Sequence, residues 1–256
     1  MKPQYGLFIR QLIRVCGNNG YWLKNLGSVG DKPIWFIRTA ELNPDLPNLL
    51  IVAGFHGEEK AGPWGILKWL EAKKEVKANI SCIPIVNPTG FNLGKRYNTW
   101  GEKSNGGFYL TKKGNGPSEE GKILIANKDL IIASSKDGML STHEDITSKD
   151  YYVYTFEHHR IPGKFTCGLL ETLGKHFEKP LNNIQVNTDA SDPGPYVVNG
   201  LVYRYCDGSF EDWLFKEGSA RTAVTETPAH RIRLQRRVLA TIDIINKFID
   251  LCIEGD

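Results

Sequence analysis

The strongest constraint on the fold is a set of short apolar runs along the chain, and in particular whether apolar and polar residues alternate within them. Residues 48–54 are the clearest case, because this run lacks the polar alternation of a strand that has one face in water. A strand of that kind is buried on both faces, as in a parallel sheet covered by helices. Stretches with apolar residues at helical spacing separate the runs. The chain is therefore predicted to be an α/β three-layer sandwich, with a mixed, largely parallel central sheet flanked by helices.

The predicted elements follow this alternation. Helices are expected at residues 4–15, from residue 63 onward, and at 118–128, 165–177 and 231–252. Strands are expected at residues 33–39, 48–54, 80–86, 130–134, 139–143, 151–156 and 222–225. Between residue 87 and Pro117 lies a long polar loop, of a kind that is usually functional. The length suits one large core, so residues 1–256 are predicted to form a single catalytic domain.

The composition narrows the classes of function. The formal net charge is only +3 and is spread along the sequence, whereas nucleic-acid-binding proteins usually carry a basic patch. No apolar run is long enough to span a membrane, and no signal peptide is recognisable. The five cysteines are widely spaced, which favours reduced thiols in the cytoplasm. We expect a cytoplasmic protein that binds neither nucleic acid nor membranes; the oligomeric state is not predicted.

The run at residues 48–54 ends in a turn that holds two side chains of metal-binding type. His56 follows the strand, and Glu59 comes three residues later. Functional groups in such sheets lie at the carboxyl ends of strands, so this turn can direct an imidazole and a carboxylate at one point. A catalytic zinc ion needs one more protein ligand and an open position for water. The pattern by itself is short and arises by chance in many sequences.

Further motifs follow the turn in a fixed order. They are Asn87-Pro88-Thr89-Gly90-Phe91, the stretch from Arg96 to Phe108, Leu140-Ser141-Thr142-His143-Glu144-Asp145, Tyr151-Tyr152-Val153-Tyr154 and Ala223-Val224-Thr225-Glu226-Thr227-Pro228. In this order and spacing, the set resembles the zinc carboxypeptidase superfamily over about residues 48–228. The resemblance implies a zinc-carboxypeptidase-like fold of the phosphorylase/hydrolase-like kind.

The resemblance also implies a Zn²⁺ site. Its ligands would be His56, Glu59 and His143, a donor set that suits zinc and leaves room for water. His143 ends a short apolar stretch, so it too can lie at the carboxyl end of a strand. His158 and His159 end another predicted strand and are the alternatives for the third ligand.

Catalytic and substrate-binding roles follow from the same resemblance. Glu226 would be the general base that takes a proton from zinc-activated water and delivers it to the leaving amine. Arg96 would contact the substrate, polarise its carbonyl and stabilise the oxyanion. Tyr203 would be the family's mobile tyrosine, but the alignment needs one extra residue, so Tyr205 is an alternative. Asn105 would bind the substrate.

One position departs from the family. The family has an arginine after the asparagine, and the pair binds the terminal carboxylate of the substrate, whereas this chain has Gly106. Glycine cannot supply a bidentate guanidinium. Either another cation binds a substrate carboxylate, or the substrate has no carboxylate at that position. The candidate cations are Lys103, Arg160, Arg204 and Arg221.

Three functions are compatible with these residues. The first, which we expect, is a zinc-dependent carboxypeptidase-like metallopeptidase or amidase acting on a small peptide or acyl-amino-acid-like substrate. The second is a zinc deacylase of the succinylglutamate desuccinylase/aspartoacylase type. Those enzymes have a β-rich lobe after the catalytic glutamate, whereas the roughly 30 residues after Glu226 are predicted to form one helix. The third is a metal-binding pseudoenzyme, which Gly106 favours and the intact candidate ligands and base oppose.

Overall fold

The computed structural model describes residues 4–73, 75–109, 116–186 and 194–255. Within these ranges the helices are α1 Gln4–Asn19, α2 Ala61–Ala72, α3 Pro88–Leu93, α4 Glu119–Ala126, α5 Lys128–Ser134, α6 Lys164–His176, α7 Phe210–Lys216 and α8 Leu234–Glu254. The strands of the same ranges are β1 Trp22–Val29, β2 Lys32–Arg38, β3 Asn48–Ala53, β4 Asn79–Ile83, β5 Gly138–Asp145, β6 Tyr152–Glu157, β7 Ile184–Gln185, β8 Tyr196–Val197, β9 Leu201–Tyr203 and β10 Arg221–Pro228.

Eight of the described strands form one mixed sheet in the order β1-β2-β4-β3-β5-β10-β6-β9. The four strands in its middle, β4, β3, β5 and β10, all run parallel to their neighbours within this group. Antiparallel pairing is confined to β1–β2, β2–β4 and β10–β6 in this sheet. The carboxyl ends of β3, β5 and β10 consequently meet at one edge, which is where functional groups of such sheets collect.

Helices cover both faces of the sheet, and β3 shows why. Leu49, Ile51 and Ala53 belong to a core with α1, α2, α6 and α8, while Leu50 and Val52 belong to a second core with α4, α5 and α7. Successive side chains of a strand point to opposite faces, so both faces of β3 are buried. This confirms the predicted three-layer α/β sandwich and explains why residues 48–54 lack polar alternation.

The structure corrects several predicted elements. Residues 130–134 were predicted as a strand but belong to α5, in which only Ile131 is buried. The apolar run Leu130-Ile131-Ile132 is typical of strands, but strand propensity depends on context, and here the run lies in a helix that buries only Ile131. The predicted polar loop contains the short helix α3, and its residues 110–115 lie outside the described residues. Strand β1 and helix α7 were not predicted.

Among the described residues, the structure contains no helix with the length and apolar character that crossing a membrane requires.

Candidate metal centre

The turn after β3 brings the first two predicted ligands together. Nδ1 of His56 lies 2.5 Å from Oε1 of Glu59. Both residues are buried, with 6% and 2% of their surfaces exposed. A buried imidazole and carboxylate require partners, because taking either group out of water is unfavourable.

His143 reaches the same point from β5, the strand next to β3. Its Nδ1 lies 3.1 Å from Oε2 of Glu59 and 3.3 Å from Nδ1 of His56. One donor atom from each of the three residues lies within 4.8 Å of the others, and His143 is only 3% exposed. The structure thus assembles the predicted His56, Glu59 and His143 into one buried cluster that could hold a metal ion.

The electrostatics of this cluster fit a divalent cation. Burial by itself would raise the pKa of Glu59, but the imidazoles of His56 and His143 lower it well below its usual range. Burial opposes a charge on His143, yet the nearby carboxylates of Glu59 and Glu211 raise the pKa of its imidazole. The cluster therefore favours an ionised Glu59 carboxylate next to a positive charge. Oε2 of Glu59 is buried without an aligned hydrogen bond from the described residues, as expected of an atom that serves a metal.

The short helix α3 holds the turn in place. A Cβ atom at Gly57 would lie 2.0 Å from the carbonyl carbon of Gly90, so only glycine fits there without a backbone shift. Asn87 begins α3, and its Oδ1 accepts a hydrogen bond from the N–H of Gly90 at 2.7 Å. Nζ of Lys60 donates to the carbonyl oxygens of Gly57 at 2.6 Å and Phe91 at 2.8 Å. Protein contacts thus fix the backbone between the two ligands.

Glu226 lies on β10, directly opposite His143 in the parallel register of β5 and β10. Both side chains line the same cavity. Burial raises the pKa of the Glu226 carboxyl to about 8; His143 opposes this rise and Glu59 adds to it. A divalent cation at the cluster would lower this pKa and keep the carboxylate ionised near neutral pH. We call the carboxyl ends of β5 and β10, together with the turn after β3 that carries His56 and Glu59, the strand wall of the cavity.

Arg96 also lines the cavity, beside the strand wall. Its Nη1 lies 3.5 Å from Oε1 of Glu58 and 3.5 Å from Oε1 of Glu59. Its backbone carbonyl accepts hydrogen bonds from the N–H of Gly57 at 3.3 Å and from Nδ2 of Asn87 at 3.2 Å. The backbone of Arg96 is therefore fixed to the turn, and its guanidinium is a cation paired with Glu58 and Glu59 at the cavity.

Two loops, residues 101–109 and 204–209, also line the cavity, through Lys103, Asn105, Tyr205, Asp207 and Ser209, and we call them the loop wall. The N–H of Phe108 donates to the carbonyl of Gly208 at 3.2 Å. Oδ1 of Asn105 accepts from the N–H of Phe210 at 2.9 Å, and its Nδ2 donates to Oε2 of Glu211 at 3.0 Å. Asn105 lines the cavity as predicted, but both ends of its amide already bind protein groups.

Glu211 was missed in the sequence because α7, which carries it, was not predicted. Residues 209–212 read Ser-Phe-Glu-Asp, and the Ser209 hydroxyl accepts from the N–H of Asp212 at 3.5 Å. Serine followed three residues later by an acidic residue is typical of a helix start, so this pattern could have revealed α7.

The structure does not bring Tyr203 into the cavity. Its hydroxyl donates to the backbone carbonyls of His159 at 2.8 Å and Ile161 at 3.1 Å. Tyr205, the alternative, lines the cavity on the loop wall. The ring of His158 stacks on Phe215 at 4.9 Å, so His158 does not join the metal cluster.

The structure also distinguishes the four candidate cations by whether they line the cavity. Lys103 lines the cavity, whereas Arg160, Arg204 and Arg221 do not. Arg221 lies at the start of β10, with its guanidinium 5.5 Å from the centre of the Phe165 ring.

Comparison with known proteins places the chain in a family. The family model for the succinylglutamate desuccinylase/aspartoacylase catalytic domain matches residues 45–129. The chain is 35% identical to a crystal structure described as a candidate metallopeptidase from Shewanella amazonensis SB2B, covering 99% of this chain and 95% of that chain with a TM-score of 0.90. A similar candidate metallopeptidase from Shewanella baltica OS155 is 38% identical, with 98% and 93% covered and a TM-score of 0.88.

More distant structures share the fold. A metallo-carboxypeptidase from Burkholderia cenocepacia is 14% identical, with a TM-score of 0.69 over 97% of this chain and 68% of that chain. The search of curated proteins found no match. From the identity to the two Shewanella proteins and the nearly complete coverage, the chain belongs to their family of metallopeptidase-like proteins, within the zinc carboxypeptidase-like superfamily.

Proposed function

We propose that this protein is a zinc-dependent hydrolase that cleaves an amide bond in a peptide or an acyl-amino acid. The observation that supports this most directly is the buried cluster of His56, Glu59 and His143, with Glu226 and Arg96 on the same cavity. Two imidazoles and one carboxylate are a donor set of catalytic zinc sites, in which water takes the remaining position.

The residues around the cluster have complementary tasks in this proposal. His56, Glu59 and His143 would hold Zn²⁺, which would supply a Lewis acid for activating water and polarising the amide carbonyl. Glu226 accepts a proton from the attacking water and returns it to the nitrogen of the leaving amine. The Arg96 guanidinium stabilises the negative charge that develops on the carbonyl oxygen, because a fixed cation in a site shielded from water acts strongly there. His56, Glu59 and His143 hold the metal and take no proton from the substrate.

The family model match favours a second candidate, removal of an acyl group from an acyl-amino acid. This reaction also breaks an amide bond and uses the same residues in the same tasks. The two candidates differ only in the groups on either side of the bond. The cytoplasmic location remains a sequence-based prediction.

Metal analysis and one substitution test the proposal. Protein stripped with a chelator and reloaded with zinc is expected to hold about one Zn²⁺ per chain, because the described residues contain one such ligand cluster. Glu226→Gln is expected to retain that zinc and lose about 10²–10⁴-fold in kcat, the usual contribution of a general base. Glu171→Gln, on the exposed side of α6, is the matched control and should leave both quantities unchanged.

The substrates should include dipeptides with free and amidated carboxyl ends, together with N-acetyl and N-succinyl amino acids. Faster cleavage of dipeptides supports a peptidase, and faster cleavage of the N-acyl compounds supports the deacylase. A protein that binds no zinc, or a zinc-loaded protein that cleaves none of these amides, would overturn the proposal.

A further inference from the structure

A second buried carboxylate, that of Glu211, lines the same cavity as the metal cluster. Glu211 is fully buried, and its Oε1 lies 3.7 Å from Nε2 of His143. Both atoms are buried, and neither has an aligned hydrogen bond from the described residues. Buried polar atoms almost always have partners, so a facing donor and acceptor of this kind call for an explanation.

The protein holds Glu211 firmly in this position. Nδ2 of Asn105 donates to Oε2 of Glu211 at 3.0 Å, which leaves Oε1 to face His143. The backbone carbonyl of Glu211 accepts from the hydroxyl of Thr222 on β10 at 3.2 Å. On the histidine side, the ring of His143 stacks on Phe55 with 5.8 Å between ring centres and 7° between planes. The imidazole and the carboxylate are therefore both restrained by packing.

The orientation of His143 gives Glu211 a specific task. Nδ1 of His143 faces His56 and Glu59, so its other nitrogen, Nε2, faces Glu211. An imidazole that binds a metal through Nδ1 carries its proton on Nε2, and metal-binding histidines generally donate that proton to a carboxylate, a carbonyl or water. Oε1 of Glu211 is the carboxylate oxygen that faces Nε2, at 3.7 Å, and it would accept this proton after a small approach of the two side chains.

We infer that Glu211 is a positioning residue that fixes the ring orientation and tautomer of His143 for the metal, and that Asn105 positions Glu211 instead of binding substrate. This inference rests on the proposed metal site. It also changes the predicted task of Asn105, whose amide is engaged at both ends by Phe210 and Glu211.

Zinc affinity tests the inference without any substrate. Glu211→Gln preserves the shape of the side chain but leaves one acceptor oxygen where two donors, from His143 and Asn105, need one each. We expect the zinc dissociation constant, measured by competition with a chromophoric chelator, to rise about 10–100-fold. Glu217→Gln, on the exposed end of the same helical segment, is the matched control and should keep the wild-type value. Thermal unfolding of the metal-free variants checks that each is folded.

Asn105→Ala separates the two tasks of the asparagine. If it positions Glu211, Asn105→Ala weakens zinc binding, and the double variant with Glu211→Gln is no weaker than Glu211→Gln alone. If it binds substrate, KM rises while the zinc dissociation constant is unchanged, and that result would overturn the inference for Asn105.

The possible results distinguish this inference from the proposed function. A wild-type protein that binds no zinc contradicts the proposed function itself. Normal zinc binding by both the wild type and Glu211→Gln contradicts only the task of Glu211. If Glu211→Gln does not fold, NMR of ¹⁵N-histidine-labelled, zinc-loaded wild type decides the question. A slowly exchanging proton on Nε2 of His143 is expected, and a protonated Nδ1 or a rapidly exchanging Nε2 proton would overturn the inference.

Discussion

The two walls of the cavity are built by different kinds of contact. On the strand wall, the parallel register of β5 and β10 sets Glu226 opposite His143, and a four-residue turn sets Glu59 beside His56. On the loop wall, Asn105 reaches Glu211, more than a hundred positions away in the chain. The strand wall therefore depends on regular structure that few substitutions can change. The loop wall depends on single contacts between residues far apart in the chain, so one substitution there, such as Asn105→Ala, can remove a contact that holds it.

The largest expected effect comes from breaking the strand wall at its backbone. Gly57→Ala would place a Cβ 2.0 Å from the carbonyl carbon of Gly90. The contact is with backbone, so α3 or the metal-binding turn must move. We expect the unfolding free energy to fall by about 3 kcal/mol or more. We also expect the variant to lose stoichiometric zinc binding. Chemical denaturation and metal analysis measure these two effects.

Gly17→Ala is the control for that substitution. Gly17 lies in α1, where the added methyl group would have no neighbouring atom of the described residues within 4 Å, and alanine favours helices. This variant should be as stable as the wild type or slightly more so. Normal zinc binding by Gly57→Ala would mean that the turn tolerates movement and that the strand wall is less rigid than its contacts indicate.

Arg96 joins the strand wall through its backbone, whereas its side chain faces the cavity. Substituting it therefore tests the side chain separately from the backbone contacts. Arg96→Ala keeps the carbonyl that binds Gly57 and Asn87 but removes the cation. We expect kcat to fall about 10²–10³-fold, the usual cost of removing one oxyanion-stabilising group, with zinc content unchanged. Lys95→Ala removes the exposed neighbouring charge and should have no such effect. Loss of zinc from Arg96→Ala would instead assign the side chain to the metal cluster.

The difference between the strand wall and the loop wall also explains which parts of the fold and the site could be predicted from the sequence. The sheet and most helices are predictable because residues 48–54 and the amphipathic helices have local patterns that packing preserves. The three-layer fold and the superfamily are accordingly confirmed. The prediction of a strand at residues 130–134 was wrong. An apolar run does not reveal which of its side chains are buried, and in α5 only Ile131 is buried.

For the site, the structure brings together His56, Glu59, His143, Glu226 and Arg96, and their roles stay predictions. Each of them ends a predicted strand or lies within a motif, so local sequence gives its position. The partner of Asn105 is not predictable in this way. Its bond to Glu211 depends on how two distant loops meet, and no spacing in the sequence reports that distance.

A smaller effect is expected on the loop wall at Lys103. Among the four candidate cations, Lys103 lines the cavity, so it can bind a substrate carboxylate in place of the missing arginine. Removing a hydrogen bond to a charged group costs about 1.5 kcal/mol, so we expect Lys103→Ala to raise KM for substrates with a free carboxylate about tenfold. The amidated form of the same substrate is the control and should be unaffected. Equal effects on both forms would show that Lys103 does not recognise a carboxylate.

The smallest expected effect distinguishes the two tyrosines. Tyr205 lines the cavity, whereas the hydroxyl of Tyr203 donates to the carbonyls of His159 and Ile161. We expect Tyr205→Phe to lower kcat/KM about fivefold, the equivalent of one hydrogen bond of about 1 kcal/mol to the substrate. Tyr203→Phe should change kcat/KM less than about twofold, and its lost backbone contacts should appear as a lower melting temperature.

The opposite outcome would be equally informative about the loop wall. Tyr203, the residue directly before the segment 204–209, can reach the cavity only if its hydroxyl leaves the carbonyls of His159 and Ile161. A larger loss of kcat/KM in Tyr203→Phe than in Tyr205→Phe would therefore show that the site with bound substrate differs from this arrangement and that Tyr203 leaves these carbonyls.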